Sequence, residues 1–135
     1  MAISQSMRYA PVLVEKVVSL AASSGTAVGI AVPAGTTVLA AGFQNFTVVP
    51  DVATYTLDVT DGTTVFANDL NFANTAANTN KGGVTPGFIA AADTIDVVTT
   101  ISGSPGVITG RVWAVVVDCS KSVEAASDVD RDQLA

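Results

Sequence analysis

Histidine is absent from all 135 residues, and cysteine occurs once, as Cys119. Without imidazole the chain lacks the commonest general base and the commonest metal ligand. Ser–His and Cys–His nucleophiles are therefore excluded. One cysteine cannot staple the fold. Cys119 follows a valine-rich run, with no base or helix start beside it to lower its pKa, so it is read as an inert thiol. Charge is also thin, at 13% of residues against about 25% in an average soluble domain. The six basic residues are scattered and the net charge is −6, which argues against nucleic acid as a partner because a phosphate binder clusters its Lys and Arg. No apolar run approaches the roughly 20 residues of a membrane span. The first residues lack the basic and apolar regions of a secretory signal, so a protein made in a cytosol, with no membrane partner, is expected. Leucine is scarce and helix signals are poor.

What is present suits pleated sheet. The chain is rich in valine and threonine, which lose rotamer freedom in helices and fit strands. About half the residues are apolar; with so few charges, part of that apolar surface is expected to face a partner. Alternation of period two is clearest over Thr54–Thr60, where Tyr55, Leu57 and Val59 point one way and Thr54, Thr56, Asp58 and Thr60 the other. Asp61-Gly62 follows, a hairpin signal, and the strand returns over Thr63–Ala67. Further strands are predicted at Val12–Leu20, Ala27–Val32, Thr36–Ala40, Gln44–Val49, Gly87–Ala90, Thr94–Ile101 and Val107–Asp118. About nine short strands with regular turns predict an all-β fold: a single antiparallel β-sandwich, jelly-roll-like. The domain is expected over 12–118, between an N-terminal arm (1–11) and an acidic C-terminal tail (119–135). Such arms gain order on meeting a partner.

Two strands look apolar on both sides. In Ala27–Val32 the pattern turns Val28, Ile30 and Val32 inward and leaves small Ala27, Gly29 and Ala31 outward. In Val107–Asp118, Ile108, Val112, Ala114 and Val116 share one face, with Val107, Trp113, Val115 and Val117 on the other. A strand apolar on both faces is buried on both, against its own loops or a neighbouring subunit. The Asn/Gly-rich span 68–86 reads as a long loop, with a short helix over Asn68–Asn78 as an option. A loop of that length is usually functional or mobile.

No constellation selects a chemistry. Asp128-x-Asp130-x-Asp132 lacks the glycine and the closing glutamate of a calcium loop. Asp61 and Asp93 are explained by turns, and no pair of carboxylates stands out for glycoside cleavage. Asn45-Phe46-Thr47 matches a glycosylation sequon. No enzyme activity, cofactor or metal is expected.

Four stretches read together resemble a known class: Pro33-Ala34-Gly35-Thr36; Tyr55–Val59 with Asp61-Gly62 and Phe66-Ala67; Ala91–Val97; and Gly110–Asp118. In this order they resemble the capsid decoration (cement) proteins of tailed bacteriophages, over roughly residues 30–118. The resemblance implies a β-sandwich on the outer surface of an assembled shell, commonly a homotrimer. It would stabilise contacts between subunits of the major capsid protein of the same virion, after synthesis in the host cytoplasm. Under it, Met7, Arg8, Tyr9, Asn71, Phe72, Asn74, Asn78, Asn80 and Lys81 are the candidate capsid contacts. Ala27, Gly29, Ala31, Arg111, Trp113 and Val115 are the candidate contacts between copies. The alternative is a receptor- or glycan-binding head or fibre domain of a virion, using the Asn-rich loop and exposed aromatics.

Overall fold

The computed structural model describes residues 10–118, and among them the chain is all strand and turn. Nine strands follow in order: β1 Val12–Leu20, β2 Gly25–Val32, β3 Thr36–Asn45, β4 Thr54–Thr60, β5 Val65–Asn71, β6 Asn80–Gly83, β7 Gly87–Ile89, β8 Asp93–Ser102 and β9 Ile108–Asp118. Sheet A has the order β1-β9-β3-β6, with β7 also on β3; sheet B has the order β2-β8-β4-β5, and all pairings are antiparallel. Because β6 and β7 share one edge of β3, they act as one strand broken at Val84-Thr85-Pro86. The result is an eight-stranded jelly roll.

The core is the inner face of both sheets. Val18, Leu20, Phe43, Ala41, Val112 and Ala114 of sheet A meet Tyr55, Leu57, Val59, Phe66, Ile95 and Val97 of sheet B, all buried. The alternation over Thr54–Thr60 holds as expected, with the apolar set inward. At the hairpin after it, Gly62 takes φ 94° and the Asp61 carboxylate accepts the N–H groups of Thr63 and Thr64 at 2.8 and 2.7 Å.

Three expectations are corrected. The strands expected at Thr36–Ala40 and Gln44–Val49 are one strand, β3, carried past its midpoint by a bulge between Val38 and Ala40. The span 68–86 holds no helix: it contains the end of β5, all of β6 and a short turn segment between them. That segment is pinned by Asn45, which is fully buried. Its Nδ2 donates to the carbonyls of Thr47 (2.7 Å) and Ala76 (2.9 Å), and its backbone carbonyl accepts from the Asn78 N–H (2.7 Å). Asn45 is thus a structural residue within the sequon, with no exposed amide to modify. In β2 a bulge between Ala27 and Ile30 changes the facing before it: Val28 is 60% exposed and Gly29 is buried, while Ile30 and Val32 face inward as expected. A side chain at Gly29 would run into the Ile95 carbonyl.

Candidate functional site

The outer faces of the two sheets differ in chemistry. Residues directly opposite in an antiparallel pair share a face, so the register fixes each set. The middle of sheet B turns Thr54, Thr56, Asp58, Thr94, Asp96, Val98 and Thr100 outward, a solvated pattern. Its carboxylates hold backbone: Asp58 accepts the Asp69 N–H at 2.7 Å and Asp96 the Gly29 N–H at 3.1 Å. On sheet A, β1 and β9 put Leu13, Val17, Trp113 and Val115 outward, and β3 and β7 add Ala40 and Phe88. Leu13, Val17 and Phe88 are 61%, 65% and 59% exposed. This is an unusually apolar outer face for a sheet, since one face of an antiparallel sheet is normally polar.

Trp113 lies at the middle of that face. The glycines opposite it, Gly42 on β3 and Gly82 on β6, leave the sheet bare, and the indole lies over them: a Cβ on Gly82 would stand 2.6 Å from the Trp113 ring. The indole N–H donates to Asn80 Oδ1 at 2.7 Å, which fixes the ring's direction. Beside it Arg111 pairs with Glu15 across the β1–β9 ladder at 2.9 Å and stacks over the Phe46 ring at 5.3 Å. Leu13, Glu15, Gln44, Asn80, Arg111 and Trp113 line a shallow cleft of about 280 Å³. The ion pair is half exposed and contributes little to stability; its effect is to orient two polar groups at the rim of an apolar surface.

The candidate contacts divide as follows. Asn80, expected to touch a capsid, and Arg111, Trp113 and Val115, expected to touch a second copy, come together on sheet A. Ala31 sits apart, exposed on the β2 edge of sheet B, while Ala27, opposite buried Val97 and packed against the core, and buried Gly29 are no longer contacts. Phe72 is also withdrawn: it is fully buried, with its ring at 85° to that of Phe43 and centroids 5.6 Å apart. Lys81 is engaged within the fold, its ammonium on the Asn71 carbonyl and 5.6 Å from the centre of the Phe72 ring. Asn74 and Asn78 are exposed and take positive φ, 55° and 63°, which asparagine tolerates better than most residues. Met7, Arg8 and Tyr9 lie outside the described residues. Sequence reasoning missed Leu13, Val17 and Phe88. A signal for the first two was present, because β1 is apolar at both parities.

A jelly-roll sandwich with one solvated and one apolar outer face is the class that fold and surface define. Neither a protein-family model nor a curated protein matches the chain. Two solved structures are similar in fold. One is a chain of "Cyanophage Pam1 capsid asymmetric unit", at TM-score 0.55 and 15% identity, covering 79% of this chain and 84% of that one. The other is a chain of "Acidic stable capsid structure of Helicobacter pylori bacteriophage KHP30", at TM-score 0.52 and 12% identity, covering 80% of this chain and 93% of that one. Both alignments take in most of each chain.

Proposed function

We propose that this protein is a structural component of a phage virion that binds the outer surface of the assembled capsid and stabilises contacts between major capsid protein subunits. The observation that carries the reading is the apolar outer face of sheet A, centred on Trp113. Aromatic residues and Arg dominate the binding energy of protein interfaces, especially near the centre of the contact. Trp113 and Arg111 stand there, held by Asn80 and Glu15 and ringed by Leu13, Val17, Val115 and Phe88. Sheet B, with its Thr- and Asp-rich middle, would face solvent. The fold shared with chains of two phage capsids supports a virion role. A homotrimer is part of the proposal, with exposed Ala31 on the β2 edge as a copy–copy contact. Many copies on one shell would turn modest individual contacts into durable attachment.

The receptor- or glycan-binding alternative draws less support. Tyr55 is fully buried, one side of Trp113 is covered by Gly42 and Gly82, and the Asn-rich segment holds backbone geometry. Cosedimentation with undecorated shells of the cognate phage tests the proposal. Saturable binding at a fixed number of copies per shell, with a rise in the shell's melting temperature, is expected. Absence of binding together with capture by a cell-surface glycan would overturn it.

A further inference from the structure

The two flanks of the sandwich carry unlike charge. β1 lies over β2 on one flank, and β6 over β5 on the other. On the first flank the sheets stand open. Val12, Val14, Lys16 and Val18 share the inner parity of β1, since they pair with Val116, Ala114, Val112 and Gly110. Of these only Val18 is buried; Val12 is 55% exposed and Lys16 is exposed. On the β2 side of the same flank the bulge turns Val28 out to solvent. Lys16 pairs with no group among the described residues, whereas Arg111 and Lys81 are engaged within the fold. An ammonium at an inner-parity position, set among exposed valines, thus has no counter-charge in its own fold. The opposite flank is acidic. Where the β4–β5 hairpin meets β7 and the turn into β8, a cleft of about 260 Å³ is lined by Asp61, Asp93 and exposed Phe88, and by no cation. Asp61 Oδ1 accepts the N–H groups of Thr63 and Thr64, and Asp93 Oδ1 that of Thr94. The second oxygen of each carboxylate has no partner among the described residues. Val65, next to the Thr64 wall of this cleft, is exposed as well.

We propose that copies of this chain associate head to tail: the β1–β2 flank of one copy docks on the β5–β7 flank of the next. Lys16 then enters the cleft between Asp61 and Asp93, and Val12 and Val28 cover Phe88 and Val65. Charge selects this pairing over a two-fold one. Two β1–β2 flanks brought together have only ammonium groups to offer each other, and two acidic clefts repel; like charges facing across a contact are what an interface avoids. The unlike pairing sets two carboxylates around one ammonium, in a chain of net charge −6 whose copies otherwise repel. Each contact uses one flank of each kind and leaves the other kind free, which is the arrangement that closes into a ring. The inference rests on the copy–copy part of the proposed function and gives it a geometry. Exposed Ala31 lies on the β2 edge that enters the contact. The outer face of sheet A, with Trp113 at its middle, stays free for the shell.

The test uses the full chain without shells, so its failure is distinct from a failure of shell binding. One variant is Lys16→Glu. The other is Asp61→Asn/Asp93→Lys, in which the asparagine carbonyl still accepts the Thr63 and Thr64 N–H groups. Far-UV circular dichroism checks that both keep the β fold. Sedimentation over a wide concentration range is expected to show a closed oligomer for the natural chain. Each variant alone should self-associate at least about tenfold more weakly, because like charges then face each other. Mixed in equal amounts, the two should associate with each other, since the natural Lys16 flank of one and the natural cleft of the other rebuild the original contact. A measurement free of substitutions is acylation by an N-hydroxysuccinimide ester, read by mass spectrometry. Lys16 should react more slowly as the natural chain assembles, while Lys81 keeps its rate. A natural chain that stays monomeric, a variant that assembles as well as the natural chain, a mixture that stays apart, or a Lys16 rate indifferent to concentration would each overturn the proposal.

Discussion

Leu13→Glu places a carboxylate on the outer face of sheet A without touching the core. Leu13 is 61% exposed in the isolated protein, so folding stability should change by no more than about 0.5 kcal/mol. Docking is different. Full burial of a leucine side chain is worth roughly 1.5–3 kcal/mol, and the still-exposed share is about 1–2 kcal/mol to be gained against a partner. The substitution forfeits that gain and adds the desolvation of a charge, several kcal/mol unless it is paired. At about 1.4 kcal/mol per decade, shell affinity should fall at least a hundredfold. Thr100→Glu supplies the control: the same charge on the outer face of sheet B, where Thr100 is exposed opposite Thr56. It should leave affinity within about threefold of the natural chain. Both variants would be titrated onto shells at several salt concentrations, with the melting temperature of each free protein as a check on folding. Loss of binding by Thr100→Glu with retention by Leu13→Glu would refute the assignment of sheet A as the docking face.

Three further outcomes follow from the interior and the Trp113 platform. Burial pushes the Tyr55 hydroxyl up from 10.0 to about 12, and the group has no hydrogen-bond partner among the described residues. Its neutral form is the one the fold favours, so its contribution is intact below pH 10 and is lost as pH rises from 10 towards 12, by about 3 kcal/mol at the upper end. Tyr55→Phe should therefore flatten the alkaline limb of a urea-denaturation series and stabilise the protein by about 1 kcal/mol at neutral pH. Asn45→Ala should cost about 2–4 kcal/mol, because it orphans the Thr47 and Ala76 carbonyls and leaves a void under the turn segment; the denaturant midpoint measures this. Gly82→Ala should lift the indole off the sheet and weaken its bond to Asn80. Since Trp113 is the only tryptophan, a change in intrinsic fluorescence at unchanged far-UV circular dichroism reports it directly.

The strands were legible where one side of the sheet is wet. Over Thr54–Thr60 the alternation of Thr and Asp with apolar residues marks inside and outside, and the strand forms with Tyr55, Leu57 and Val59 inward as expected; Thr94–Ile101, expected to be extended, forms within β8. The facing of Ile108–Asp118 was also readable, because Gly110, Val112, Ala114 and Val116 fall on one parity. What resisted reading were the positions where tertiary pairing decides. No local signal marks the bulges at Val28-Gly29 and at Leu39, and a single extra residue turns the following side chains to the other face. The span 68–86 looked like loop because asparagine and glycine are poor strand formers. Its short strand β6 exists because Gly82 and Lys81 complete a ladder on Gly42 and Phe43, forty residues earlier. Asn45 gave no sign of its role, since a buried anchoring amide and a modified surface one are spelled alike.

The same ambiguity explains why the interaction face was only half visible. A strand with apolar residues at both parities must be covered twice, and the sequence of β9 said so at Trp113 and Val115. For β1 the reading stopped at strand formation, because an edge strand and a central strand can share one pattern. Only the sheet order shows β1 at an edge, with Leu13 and Val17 beside Val115 and Arg111. Once that order is known, the low charge of the chain has a definite location. Sheet B presents outward a surface of threonine and aspartate, with Val98 as its one large apolar side chain between β4 and β8. Sheet A presents Leu13, Val17, Val115, Phe88 and one oriented tryptophan. Only six basic residues occur in the chain, and Arg111 is tied to Glu15 while Lys81 is tied to the Asn71 carbonyl. Of the three cations among the described residues, Arg111 and Lys81 are thus held in internal pairs, and Lys16 lies at the β1 edge with the parity of the inner face. A partner surface that is apolar at its centre, with a hydrogen-bonding rim to meet Gln44, Asn80 and Glu15, is the complement this face requires.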